Sequence, residues 1–209
     1  MPETTVGLLG FPSAMKKAKQ PEELLLGQKK IGLLALDKAL EFSDHVISVS
    51  SSEEQAEVMD LIAQERGVTL NCRVLEDVGS VRAVLSTVLQ LCEGGSLLMM
   101  PSSSPYVSTE VLGLMVELLD SRDGVFLREK GGAVYESLYA LKVGPAKAIL
   151  EAGGDPESLA DIVDALAKTI AISWEAASAL DPLHLSYFSV ITDSDYDTAK
   201  RLLPRVTKA

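Results

Sequence analysis

Cysteine is nearly absent from this 209-residue chain. Cys72 and Cys92 stand alone, which excludes a disulfide framework and a cysteine-based zinc motif. Histidine is equally scarce. His45 opens an apolar segment and His184 follows a proline, so both read as structural or surface residues and a transition-metal cluster is not expected. Aromatic residues make up only 5% of the chain, too few for a base-stacking nucleic-acid surface. Net charge is -11, which disfavours nonspecific contact with nucleic acid or an anionic membrane. No apolar run approaches the roughly 18 residues that span a bilayer. The first residues, Met1-Pro2-Glu3-Thr4-Thr5, lack the layout of a signal peptide. A soluble cytoplasmic protein with reduced thiols is the expectation. Two phosphate-binding signatures are also missing: there is no Walker loop and no GxGxxG after the first apolar run. No Ser–His–Asp arrangement is visible by motif.

What is present is enough apolar material, 47% of residues, for one well-packed domain. Val6–Leu9 reads as a buried strand and residues 31–42 as a helix. His45–Val49 reads as a strand, followed by a helix over 53–66 that stops at Gly67. Val68–Leu75 is the next predicted strand. A helix opening at Gly79-Ser80 and ending at Gly94-Gly95 follows it. Leu97–Met100 is apolar throughout, as in strands buried on both faces. Ser108 caps a helix running to about Leu119, and Gly124–Arg128 is a fifth strand. Further expectations are strands at 135–143, 169–174 and 185–191, and helices at 145–152, 158–167 and 195–203.

Regular strand–helix alternation over the first 120 residues calls for a doubly wound parallel sheet with helices on both faces, a three-layer α-β-α fold. Ligands on such sheets lie outside the carboxyl ends of the strands, near the topological switch. The predicted functional loops are therefore 10–21, 49–52, 75–80 and 101–107. Residues 1–30 hold five Lys (16, 17, 19, 29 and 30) against three Glu, a basic island on an acidic chain. It reads either as a local anion site or as a solvated loop. Lys16, Lys17 and Lys19 follow the first strand, where phosphates meet backbone amides and ammonium groups. Ser102, Ser103 and Ser104, between two prolines, offer hydroxyls to a phosphate or ribose. Asp193, Asp195 and Asp197 read first as cap and first-turn acids of the last helix.

The order of these segments resembles the molybdenum cofactor guanylyltransferases, within the wider group of nucleotidyltransferases. Leu8-Leu9-Gly10-Phe11-Pro12-Ser13-Ala14-Met15-Lys16-Lys17-Ala18-Lys19 looks like that family's LAGGxSxRMGxxK loop with one deletion. Val46–Ser50 is similar to its VISAN segment, and Leu75–Ala83 to its acidic residue followed by GPLAG. Leu97–Val107 looks like its strand ending in PCDMPFV, and Asp193–Ala199 like its DTPEDLxxA ending. Five segments in order span about 190 residues.

The resemblance implies a single nucleotidyltransferase-like domain, with residues 1–128 as the nucleotide-binding half and 129–209 as the acceptor-side half. The sheet would carry an antiparallel strand within a mostly parallel set. The implied reaction moves GMP from GTP to molybdopterin, with Mg²⁺ as cofactor. Lys19 would act on the phosphates as the catalytic residue. Leu9, Gly10, Ser13, Lys16, Lys19, Ser50, Asp77 and Ser103 would contact the nucleotide, and Asp193 would serve an altered metal site. Implied partners are GTP or another nucleotide, molybdopterin as acceptor, and a protein partner in molybdoenzyme maturation.

The sequence also departs from the family. The second Gly of the loop is Phe11, its Arg is missing, and the metal-holding Asp is Ser103. Phe11-Pro12 removes a donor and blocks close approach of backbone to phosphate. These changes motivate an alternative: the same fold, binding a nucleotide or pterin, with catalysis lost. An unrelated doubly wound protein is a third reading, and strand order separates it from the other two.

Overall fold

The computed structural model describes residues 3–16, 20–153 and 156–206. Nine strands and eight helices alternate along these residues. They begin with β1 (Thr4–Leu9), a short hairpin of β2 (Leu25–Leu26) and β3 (Lys29–Lys30), and α1 (Ile31–Leu40). Next come β4 (Val46–Ser50), α2 (Glu53–Arg66), β5 (Asn71–Val74), α3 (Val81–Leu91), β6 (Ser96–Pro101) and α4 (Thr109–Leu119). The second half holds β7 (Gly124–Arg128), β8 (Val134–Lys142), α5 (Val143–Glu151), α6 (Leu159–Ala165), β9 (Thr169–Ile172), α7 (Trp174–Ser178) and α8 (Asp193–Val206).

Seven strands form one sheet in the order β5-β4-β1-β6-β8-β7-β9. β8 runs antiparallel to both β6 and β7, while the other pairs are parallel. This is the mostly parallel α/β sheet expected, including the antiparallel strand that the family resemblance implies. The chain winds outward from β1 through β4 to β5, then returns to place β6 on β1's other side. The topological switch therefore lies between β1 and β6.

Alternation along the strands builds a core on each face. Leu98 and Met100 point to one side, with Val6 and Leu8, and meet α1, α2 and α4 through Leu36, Met59, Ile62, Leu112 and Met115. Leu97 and Met99 point to the other, with Val49, Phe126 and Tyr139, against α3, α5 and α6. Each large side chain buried this way contributes about 2 kcal/mol. Local signals set the helix ends. Ser52, Ser80, Ser108 and Ser158 each accept a first-turn N–H, and Gly67 closes α2 at φ 77°.

Three stretches differ from the sequence expectation. The hairpin at 25–30 was not foreseen; Gly27, at φ 64°, makes its turn. Residues 185–191 are not a strand. His184 adopts φ 52° and Leu185–Tyr187 form a single 3-10 turn. The Asp181 carboxylate takes the Ser186 N–H at 2.7 Å, and Val190 bonds to the loop after β6. The apolar residues there serve a third small core of Leu26, Ile31, Tyr106, Leu185, Val190 and Ala199, which docks α8 and the hairpin. Predicted strand 68–75 shortens to its four-residue centre at the sheet edge.

Candidate functional site

The carboxyl ends of β4, β1 and β6 lie side by side, and each delivers its chain into a loop. Gly10 N–H extends the β1–β4 ladder by donating to the Val49 carbonyl at 2.7 Å. Ser102 N–H extends the other side by donating to the Leu9 carbonyl at 2.9 Å. Leu9, Gly10, Ser50 and Ser103 thereby lie together at the carboxyl ends of three adjacent strands, the place where open α/β sheets have their ligand crevice.

The segment before α8 closes this crevice from the second half of the chain. Ala14 N–H donates to the Ile191 carbonyl at 3.1 Å, and Lys16 N–H donates to Asp193 Oδ2 at 3.3 Å. Val190 N–H donates to the Ser103 carbonyl at 3.0 Å, and the hydroxyls of Ser104 and Ser189 lie 2.7 Å apart. The loops after β1 and β6 thus share one backing segment. Ser13 uses its hydroxyl locally, accepting the Met15 N–H at 3.2 Å.

Asp77 stands apart, beyond the edge strand β5. Its Oδ1 accepts the N–H groups of Gly79 and Ser80, both at 3.1 Å, and so shapes the turn into α3. Lys19, with Lys17, lies outside the described residues. Lys29 and Lys30 do not join a common basic patch. Lys29 pairs with Asp37 at 2.8 Å, and Lys30 pairs with Glu65.

The serines of the loop after β6 face inward. Ser102, Ser103 and Ser104 are all buried, at 0%, 2% and 0% exposure. Ser102 Oγ donates to Glu22 Oε1 at 2.6 Å, while the hydroxyls of Ser103 and Ser50 are buried without a partner. These side chains do not fit a protein-held Mg²⁺. Position 103 supplies no carboxylate, Asp193 already receives the Lys16 N–H, and no group of three potential ligands occurs among the described residues.

A feature that the sequence reading missed lies directly under the crevice. Gln55, from the first turn of α2, is fully buried. Its Nε2 donates to Glu22 Oε1 at 2.9 Å and to the Phe11 carbonyl at 3.3 Å. Its Oε1 accepts from Ser51 N–H at 2.9 Å and from Ser51 Oγ at 3.0 Å. Gly10 is glycine because of this side chain: a Cβ there would lie 2.6 Å from the Gln55 amide. The resemblance implies a nucleotide contact at Gly10; the structure adds that the lack of a side chain there makes room for Gln55. No sequence signal marks the pair. Gln55 looks like any polar residue opening a helix, and Glu22 like any acid after a proline.

The thiols are not reactive groups of this site. Burial raises Cys72 and pushes Cys92 up to about 11, so both remain protonated at neutral pH.

No protein-family model matches the sequence, and none of the curated proteins does. Solved structures do resemble it. The molybdopterin-guanine dinucleotide biosynthesis protein A of Archaeoglobus fulgidus superposes with a TM-score of 0.70 at 17% identity, covering 97% of this chain and 99% of that one. A nucleotidyl transferase from Methanothermobacter thermautotrophicus gives 0.71 at 13% identity, covering 97% and 98%. A CMP:2-keto-3-deoxy-manno-octonic acid synthetase complexed with CTP gives 0.66 at 11% identity, covering 97% and 99%. Over nearly its whole described length, the chain has the fold of the nucleotidyltransferases, with its carboxyl-end crevice at the topological switch.

Proposed function

We propose that this crevice binds a nucleoside triphosphate, GTP by the motif resemblance, and that the chain is a molybdenum cofactor guanylyltransferase-like protein. The observation that carries this reading is convergence. The loops after β1, β4 and β6 are held at one switch point and backed by residues 189–193. In the implied reaction a phosphate oxygen of molybdopterin attacks the α-phosphorus of GTP, and pyrophosphate leaves. Lys19 is the proposed phosphate-side catalytic residue. Leu9, Gly10, Ser13, Lys16, Ser50, Asp77 and Ser103 are the proposed nucleotide contacts. Asp193, the acid that the resemblance assigns to the metal side, is instead proposed to hold the loop after β1 through the Lys16 N–H. The cofactor of this reading is Mg²⁺, which would be held by the triphosphate's own oxygens. A protein partner in molybdoenzyme maturation belongs to the same proposal.

A second reading, the same fold with catalysis lost, is favoured by one observation: Ser103 is buried and carries no charge where the family pattern has its acid. Titration of GTP by calorimetry, with Mg²⁺ and then with excess chelator, tests the binding step. A Kd near 1 µM, about -8 kcal/mol, supports the site; heats equal to dilution in both conditions remove it. Turnover with GTP and molybdopterin then separates the readings. Pyrophosphate release selects the transferase, and binding without release selects the degenerate form.

A further inference from the structure

The nucleotide reading gives no task to the one acid buried beneath the crevice. Glu22 follows Pro21 in a short 3-10 turn and has 0% exposure. Its Oε1 receives two donors, Ser102 Oγ at 2.6 Å and Gln55 Nε2 at 2.9 Å. Its Oε2 is buried with no hydrogen-bond partner. Each donor is also in contact with the crevice. Gln55 holds the Phe11 carbonyl and the Ser51 amide, and Ser102 Oγ lies 3.3 Å from the Leu9 carbonyl. One carboxyl thus touches, through a single side chain each, the loops that follow β1, β4 and β6.

An ionised carboxylate in such a place needs a cation, because burying an unpaired charge costs several kcal/mol. Among the described residues none is offered. The neighbouring charge is the like-signed Glu23. α1 brings Gly32 against it and α2 brings Gln55, while Met59 and Ile62 of α2 pack on the same glycine. The bases of these helices and of the preceding strand β3 are engaged elsewhere, Lys30 with Glu65, Arg66 and Lys29 with Asp37, and Lys38 with Glu41. A neutral carboxyl suits the geometry better. Its carbonyl oxygen accepts the two observed bonds and its other oxygen carries the proton. Burial pushes this group above the ordinary glutamate range, against the smaller opposing effect of its hydrogen bonds.

We propose that Glu22 is a positioning residue of the crevice, acting through Gln55 and Ser102 on the loops after β1, β4 and β6, and that the pose of those loops follows whether its carboxyl carries a proton. When the proton is lost, the charge is stabilised only by reaching water. Reaching water breaks the bonds to Gln55 and Ser102 and frees the Phe11 carbonyl and the Ser51 amide. Nucleotide binding, which needs the loops in place, would then be linked to proton retention. This last step rests on the nucleotide reading; the loop movement does not.

Two measurements keep these apart. The first needs no ligand: amide exchange at Ser51 by NMR, across pH, in wild type, Glu22→Gln and Glu22→Ala. In wild type, protection should fall with rising pH beyond the intrinsic base-catalysed trend. Glu22→Gln, which keeps the acceptor and cannot ionise, should hold its protection throughout. Glu22→Ala should be poorly protected at every pH; if it does not fold, the wild type and Glu22→Gln still decide. Identical pH profiles for those two overturn the proposal. The second measurement is GTP calorimetry. Wild-type Kd should weaken about tenfold per pH unit once the carboxyl ionises, while Glu22→Gln stays within about twofold over the same range. An equal slope in both proteins overturns the coupling to binding. Absence of GTP binding at every pH overturns the nucleotide reading and leaves the exchange result to judge Glu22.

Discussion

The two ends of the central strands treat ionisable groups in opposite ways. At the amino end, His45 is 42% exposed and its ring lies between two carboxylates, Glu3 at 3.6 Å and Glu93 at 3.2 Å, both well exposed. At the carboxyl end, Glu22, Gln55, Ser50, Ser102 and Ser103 are all at least 98% buried, and three of them leave an oxygen unpartnered. Polar atoms buried without partners cost stability, and folds retain few of them. Three of the six such atoms among the described residues lie here, against Thr5 Oγ1 at the amino end and Ser48 Oγ in mid-strand. Only here does a buried carboxyl stand among them, which teaches that this end is organised for something other than stability. At the amino end the ionisable groups stay in water, and only the small hydroxyls of Thr5 and Ser96 are buried.

The sharpest way to break this contrast is Gln55→Ala. It strips acceptors and donors from Glu22, Phe11 and Ser51 together, so urea unfolding should show a loss of about 3 kcal/mol. A loss below about 1 kcal/mol would mean that the network is ornamental and water replaces it freely.

Acid and base dependence gives the next largest effect, with opposite signs at two carboxyls. Glu22 is raised by burial, so its contribution to stability is fully present below the ordinary glutamate value of about 4.3 and is lost as pH rises through the folded value. Glu22→Gln should therefore gain on wild type steadily as pH rises. Asp37 is lowered. Its partial burial works the other way, but bonds from Lys29 and Arg66, both at 2.8 Å, outweigh that burial. Its contribution is present above the ordinary aspartate value of about 3.9 and is lost as pH falls. Asp37→Asn should cost at most about 1 kcal/mol near neutrality and nothing in strong acid. Equal slopes for the two variants would remove the distinction between a buried lone acid and a paired surface acid.

Adjacent serines sharpen the comparison within the carboxyl end itself. Ser102→Ala deprives Glu22 of a donor at 2.6 Å and should cost about 1–2 kcal/mol. Ser103→Ala deletes a hydroxyl that has no partner, and should be neutral or stabilising by up to about 1 kcal/mol. A stabilising Ser103→Ala that also weakens GTP binding would show stability exchanged for function at that position.

Much of this architecture is legible in the residues. The caps at Ser52, Ser80 and Ser108, the stop at Gly67 and the apolar run through Met99 place their elements to within a residue or two. That is because those signals are local and backbone-based. Segment 185–191 misled because its apolar residues serve a packing contact with α8, while a carboxylate just upstream, Asp181, sets its backbone. The crevice was legible as a position, since strand alternation alone points to the loops after β1, β4 and β6. Its chemistry was not. Glu22 and Gln55 are separated by 33 residues and meet because the 3-10 turn that holds Glu22 packs against α2 as well as α1. Burial turns two ordinary surface residue types into the floor of a site, and burial of a single polar residue leaves no periodic trace in a sequence.

The smallest expected effect tests the quiet end of the sheet. His45→Gln removes both ring contacts to Glu3 and Glu93. Exposed pairs at such distances gain little Coulomb energy in water, and holding long side chains in one geometry offsets most of it. The glutamates left behind stay solvated, so neither is stranded as a buried charge. The variant should lose less than about 0.5 kcal/mol in low salt, and molar salt should erase even that difference by screening. Equilibrium unfolding at two ionic strengths measures both. A loss of about 2 kcal/mol that persists in high salt would place the imidazole among the structural bonds of the fold. The two ends of the sheet would then differ only in degree, and the buried carboxyl at the other end would lose its weight as a mark of function.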